Sequence, residues 1–188
     1  MKSNLHLFEL NPVIAAVKDE EQLERALKTN CDIIFFLFGN ICNITSLVKR
    51  AKDAGKISFV HLDLTQGLSG KEIAVDFVKE FVGAEGVIST RPAPLKRANA
   101  LGLITVLRVF LVDTISLANL KKQLDSCGAD LVEIMPGVMP KVIRRVCENT
   151  SIPVITGGLV SDKEDVISAL SAGAQCISTT CEALWCDS

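Results

Sequence analysis

Eight short apolar runs recur along the chain, and each of the first seven is followed by a stretch with helical periodicity or helix caps. Strand-like runs alternating with helices argue for a parallel α/β fold, because a parallel pair needs a crossover to join it. The run at 32–39 (Ile33, Ile34, Phe35, Phe36, Leu37, Phe38) is continuously apolar. Such a run suits a strand covered on both faces. The other strands are expected at 12–17, 57–64, 86–90, 104–112, 130–135, 153–156 and 175–178. The intervening helices are expected at 19–28, 43–54, 69–82, 94–101, 114–127, 139–148 and 161–172. Eight strands favour a closed (βα)8 barrel, TIM-like, over an open doubly wound sheet. At 188 residues the chain is shorter than the roughly 250 of a typical barrel. The expectation is therefore a compact single domain, 1–188, with short helices and a reduced last helix near Cys181–Trp185.

Several function classes lose their support. No Gly-x-Gly-x-x-Gly follows the first strand, which removes the main mark of a dinucleotide fold. Gly67-x-x-Gly70-Lys71 has the wrong spacing for a Walker A loop. No run of about 18 uncharged apolar residues exists, so no membrane span is expected. The start, Met1 to His6, lacks the apolar core of a signal peptide. The seven cysteines form no CxxC and have no histidine at ligand spacing, so no metal site is expected. They read as buried small hydrophobes in a reducing cytoplasm. A net charge of -2 means that any nucleic-acid contact must use a local basic patch.

Near the C-terminus, Pro153-Val154-Ile155-Thr156-Gly157-Gly158-Leu159 reads as a buried strand ending in two glycines. Ala172-Gly173-Ala174 then leads into a strand ending in Ser178, Thr179 and Thr180. In a barrel, the loops after the last two strands commonly form a phosphate site. Glycines let the backbone approach an anion, and N–H groups at a helix start favour it. The plainer alternative is a buried strand with a glycine turn and hydroxyl caps.

Polar residues interrupt otherwise apolar strands close to that same rim. His61 and Asp63 share one face of the third strand by the period of two. Arg108 interrupts the fifth strand and Glu133 the sixth, and buried charges need partners, so these two are expected to pair. Arg91, after the fourth strand, stands where it can reach a phosphate or an RNA backbone. The glycine-rich run 65–71 reads as an exposed, mobile lid. The chain carries no Ser–His–acid order around a nucleophile elbow. Asp63 with His61 is the one candidate acid–base pair, which is thin support for an enzyme. No catalytic residue is assigned.

Taken in order, these runs resemble the glycerol-3-phosphate-responsive antiterminators of bacterial glycerol uptake operons. The runs are 11–17 (NPVIAAV), 60–64 (VHLDL) with Gly67-Leu68-Ser69, and 86–91 (GVISTR). They continue at 108–113 (RVFLVD), 132–137 (VEIMPG), Gly157-Gly158-Leu159, and Ala172-Gly173-Ala174 before Ser178-Thr179-Thr180, closing on Leu184-Trp185. The chain departs from the family's habit at Thr156, where Ala is usual, and at Thr180, where Ser is common. The resemblance implies a barrel that binds glycerol 3-phosphate as effector, uses no cofactor, and prevents premature termination at an mRNA leader. With the residue reading, it places the phosphate on Gly157, Gly158, Ser178 and Thr179, and the glycerol hydroxyls on Asp63 and Glu133. Candidate RNA contacts are Arg91, Lys96 and Arg97, and Lys141, Arg144 and Arg145 on the sixth expected helix. The alternatives are a phosphosugar or prenyl-glyceryl-phosphate enzyme on the same barrel, and a metabolite sensor with a protein partner. A homodimer is left open, with no interface located by the sequence.

Overall fold

A computed structural model describes residues 6–68 and 70–185. Eight parallel strands close into a barrel in the order in which they occur in the chain. They are β1 (Val13–Val17), β2 (Ile33–Phe36), β3 (Ile57–His61), β4 (Gly86–Ser89), β5 (Ile104–Phe110), β6 (Leu131–Met135), β7 (Val154–Gly157) and β8 (Cys176–Thr179). Seven helices cross between them: α2 (Glu20–Ala26), α3 (Ile44–Asp53), α4 (Glu72–Phe77), α5 (Pro92–Ala100), α6 (Thr114–Cys127), α7 (Pro140–Asn149) and α8 (Lys163–Ser171). The expected barrel is thus observed. The last helix is reduced to one 3-10 turn, Glu182–Leu184.

The period of two sorts each strand into an inner and an outer face. Ile14, Ala16, Ile33, Phe35, Phe59, Ile88, Ile104, Val106, Leu131, Ile155 and Cys176 pack together inside the barrel. Their alternates, among them Val17, Phe36, Val60, Leu107, Ile134 and Ile177, pack against the helices. A short helix that the strand pattern did not signal, α1 (Leu7–Leu10), precedes β1. It inserts Phe8 into the inner cluster, edge-on to Phe59 with ring centroids 5.5 Å apart. The end of the barrel where the strands begin is thereby plugged, which leaves function to the opposite rim. At the tail, Trp185 is buried and its Nε1 donates to the Thr179 carbonyl at 2.9 Å.

Element ends differ from expectation where turns intervene. β3 stops at His61, because the N–H groups of Leu64 and Thr65 both turn back to the His61 carbonyl. α4 begins at Glu72 and passes into a π-helical turn, Val78–Val82, that ends at left-handed Gly83. α6 is the best-defined helix start. Asp113 accepts from the Ser116 N–H while the Ser116 hydroxyl accepts from the Asp113 N–H, a reciprocal capping box. Among the described residues no helix is long and apolar enough to cross a membrane.

Candidate functional site

Inside the barrel, the layer just below the C-terminal rim is polar, while the layers beneath it are apolar. Parallel register puts Arg108 of β5 beside Glu133 of β6, and Gly157 of β7 beside Ser178 of β8. Arg108 Nε donates to Glu133 Oε2 at 2.6 Å, the pairing expected from sequence. The other carboxylate oxygen, Oε1, accepts from the Ser178 hydroxyl. Glu133 is completely buried and Arg108 nearly so. Glycine is needed at 157 because a Cβ there would stand 2.8 Å from Glu133 Oε1 and collide with Ser178 Oγ. One missing side chain in β7 makes room for a bridge that runs from β5 through β6 to β8.

His61 of β3 enters the same layer. It is 2 % exposed, and its Nδ1 has no hydrogen-bond partner. Burial, and after it the positive charge of Arg108, lowers its pKa to about 3, so the ring is neutral at physiological pH. Asp63 stands at the rim, in the turn after β3. Its Oδ2 accepts from Ser89 Oγ (2.9 Å) and the Thr90 N–H (2.8 Å), and its Oδ1 from Arg91 Nε (2.9 Å) and Nη2 (2.8 Å). Burial pushes the Asp63 carboxyl up, but the Thr90 and Ser89 donors outweigh that and hold it below its ordinary value. His61 Nδ1 and Asp63 Oδ2 are 3.8 Å apart, beyond hydrogen-bond reach. The acid–base pair suggested by the sequence is therefore two neighbours, one neutral and one fully engaged in holding the end of β4.

The turn after β7 carries Gly158 and Leu159 with consecutive left-handed backbones (φ 73° and 63°). A Cβ on Gly158 would stand 2.7 Å from Met135 Cε. The β6–α7 loop packs on this turn, with the Gly137 N–H donating to the Gly158 carbonyl at 3.0 Å. The start of α8 is not the open anion site that a helix N-terminus can provide. Asp162 accepts the Asp165 N–H and Asp165 accepts the Ser161 N–H. Two carboxylates thus occupy donors that a phosphate would use. Ser178 faces the barrel interior, while Thr179 faces the helix layer. The Thr179 hydroxyl donates to the Val160 carbonyl (3.0 Å) and accepts from the Cys181 N–H (3.0 Å).

The segment expected to act as a lid is anchored over its first half. Thr65 is buried with its hydroxyl on the His61 carbonyl, and Gln66 pairs with the 39–41 segment. Ser69 lies outside the described residues. The basic candidates divide between two places. Arg91 is held by Asp63, Arg97 by Asp76 through Nε (3.0 Å) and Nη2 (2.6 Å), and Lys96 is exposed beside them on α5. Lys141, Arg144 and Arg145 are exposed on α7, with α6 lying between the two groups in chain order. A groove of about 490 Å3 runs along the outer helix layer, lined by Leu117, Lys121 and Asp125 of α6 and by Arg145 and Asn149 of α7. Lys121 gave no signal in the sequence, because lysines on an exposed helix face, here Lys121 and Lys122, are ordinary until the neighbour across a groove is known.

A closed parallel barrel of eight strands with a buried charged layer under its C-terminal rim belongs to the class of TIM-like (βα)8 barrels, whose ligand sites generally lie at that rim. The family model described as glycerol-3-phosphate responsive antiterminator matches residues 13–185, and the chain belongs to that family. An Escherichia coli (strain K12) protein, uncharacterized protein YgcP, is 46% identical over 181 residues, covering 96% of this chain and 95% of that one. The glycerol uptake operon antiterminator regulatory protein of Listeria monocytogenes superposes with a TM-score of 0.89 at 27% identity, over 92% of this chain and 94% of that one. A glycerol uptake operon antiterminator-related protein of Thermotoga maritima gives 0.83 at 34% identity, over 93% and 98%.

Proposed function

We propose that this protein senses glycerol 3-phosphate in the cytoplasm and, when loaded, acts at the leader of glycerol-operon mRNA to prevent premature termination. The observation that carries the reading is the convergence of His61, Arg108, Glu133 and Ser178 beneath one rim of the barrel, in a chain of this family. In this reading the phosphate sits at the Gly157–Gly158 turn beside Ser178, while Thr179, expected to join it, faces the helix layer with its hydroxyl engaged by the Val160 carbonyl and the Cys181 N–H. The glycerol end, expected from the sequence at Asp63 and Glu133, reaches toward Asp63 and the Arg108–Glu133 pair. No cofactor takes part. A sensor is favoured over a phosphosugar enzyme because neither carboxylate is poised as a base. Glu133 is bonded through both oxygens and sealed from solvent, and Asp63 is held by donors on three consecutive residues.

The test is calorimetric titration of the purified protein with glycerol 3-phosphate, glycerol and inorganic phosphate. Selective binding of glycerol 3-phosphate without its consumption is expected, and Gly158→Phe should abolish it. Consumption of the ligand, with Asp63→Asn abolishing turnover at saturation, would return the enzyme reading. For the RNA limb, the pair Arg144 and Arg145 on α7 is the favoured contact, since both are exposed and Arg145 lines the same groove as Lys121. Charge reversal at both should weaken leader binding and flatten its dependence on salt. An unaltered salt slope would exclude this surface.

A further inference from the structure

Glu133 is pinned through both carboxylate oxygens and completely buried, so a ligand hydroxyl does not reach it directly. One oxygen takes Arg108 Nε and the other takes Ser178 Oγ. Its partner is different. Arg108 has five donors, and the described structure gives it one hydrogen bond, from Nε. Among the described residues, the sealed polar side-chain atoms without a partner are Ser58 Oγ, His61 Nδ1 and Thr156 Oγ1, and Arg108 Nη1 and Nη2 are not of their number. The two ends of the guanidinium therefore keep a small contact with solvent, in a residue that is 5 % exposed. Glu133 balances its charge, and the neutral His61 adds none. What the layer offers is a fixed fork of N–H donors with no net charge to spare. Such a fork suits the oxygen atoms of neutral hydroxyls and does not by itself call for a second anion.

We propose that Arg108 is the residue that reads the end of the ligand distal to the phosphate, its Nη1 and Nη2 donating to the glycerol hydroxyl oxygens, with Glu133 as a positioning residue that aims the fork. This deepens the glycerol 3-phosphate reading and rests on it. Glu133 Oε1 lies 2.8 Å from where a Gly157 Cβ would be, so the carboxylate that holds Arg108 stands against the end of β7, at the foot of the glycine turn. A ligand anchored at the turn has its free end over the guanidinium. Arginine is required and not merely a cation, because lysine has no planar fork with which to span two oxygens while holding Glu133.

The experiment is calorimetry with glycerol 3-phosphate and with inorganic phosphate, on wild type and Arg108→Lys. The expected result is a loss of ten- to a hundredfold in glycerol 3-phosphate affinity, of the order found when a directional donor to a substrate oxygen is removed. Affinity for inorganic phosphate should stay within about threefold of wild type, since the glycine turn is untouched. Equal losses for both probes, or no loss for glycerol 3-phosphate, would overturn the assignment of Arg108 while leaving the sensor reading standing. Wild type that binds neither probe would remove that reading, and this inference with it. Should Arg108→Lys fail to fold, the wild-type protein supplies the same decision by nuclear magnetic resonance. The Arg108 Nη–H signals should shift and exchange more slowly with glycerol 3-phosphate but not with inorganic phosphate, and signals indifferent to both would overturn the proposal.

Discussion

Truncating Glu133 is the sharpest probe of the polar layer. Glu133→Ala leaves the Arg108 guanidinium at 5 % exposure without its counter-charge and takes the acceptor from Ser178. Breaking a buried pair from one side typically costs 3–5 kcal/mol, roughly, because the surviving charge is stranded. An orphaned hydroxyl adds on the order of 1 kcal/mol. The two together make about 4–6 kcal/mol, and for a chain of this size about 2–4 °C of melting temperature goes with each kcal/mol, so a drop of roughly 8–24 °C is expected. Replacing both partners by apolar residues of similar volume, Arg108→Met with Glu133→Leu, strands no charge and leaves only the Ser178 hydroxyl without its acceptor. Such double replacements are often neutral or stabilising by about 1–4 kcal/mol. The assay is urea unfolding of wild type, both single variants and the double variant, read as a cycle. The two positions should couple by at least about 3 kcal/mol, well above the ~0.5 kcal/mol of independent sites. A double variant whose loss equals the sum of the singles would refute the argument that the pair is held by mutual need. So would a Glu133→Ala loss below about 1 kcal/mol.

Three further outcomes follow from the same geometry. The folded pKa of His61, about 3, lies below its ordinary value of 6.5, so between these pH values the unfolded chain binds a proton that the folded chain refuses. Stability should then be full above about pH 6.5 and fall by up to ~1.4 kcal/mol per unit on acidification toward 3. His61→Phe should flatten that slope in urea titrations run from pH 7 to 4, and parallel slopes would show that the imidazole titrates normally. Gly157→Ala forces a methyl group against Glu133 Oε1 and Ser178 Oγ. It should cost about 1–3 kcal/mol as an overpacked site, and recover in part when Ser178 is also reduced to Gly; a neutral Gly157→Ala in thermal melts would contradict the close packing. Asp113→Ala removes the reciprocal cap of α6 and should cost about 1 kcal/mol by denaturant midpoint, whereas Asp125→Ala on an exposed face of the same helix should change little.

The fold was legible in the sequence because its signals are local and repeat eight times. Each apolar run of four to seven residues is long enough to be a strand, and each is followed by a cap or a periodic stretch. The Arg108–Glu133 pair was legible for a related reason. A charge in an apolar strand must find an opposite charge, adjacent strands in a parallel barrel are consecutive in the chain, and register then brings the two side by side. What the sequence could not convey is saturation. Glu133 and Asp63 look alike in sequence, each a carboxylate near a strand end. Only the three-dimensional arrangement shows that Ser178, forty-five residues from Glu133, fills its second oxygen, and that Ser89, Thr90 and Arg91 fill Asp63. The helix start after the Gly-Gly turn misled for the same cause, since the aspartates that cap it also read as ordinary first-turn acids. Counting donors and acceptors to completion is what separates a carboxylate that can greet a ligand from one already spent on the fold. That count leaves the guanidinium ends of Arg108, together with the neutral His61 ring, as the groups in this layer free to meet a ligand.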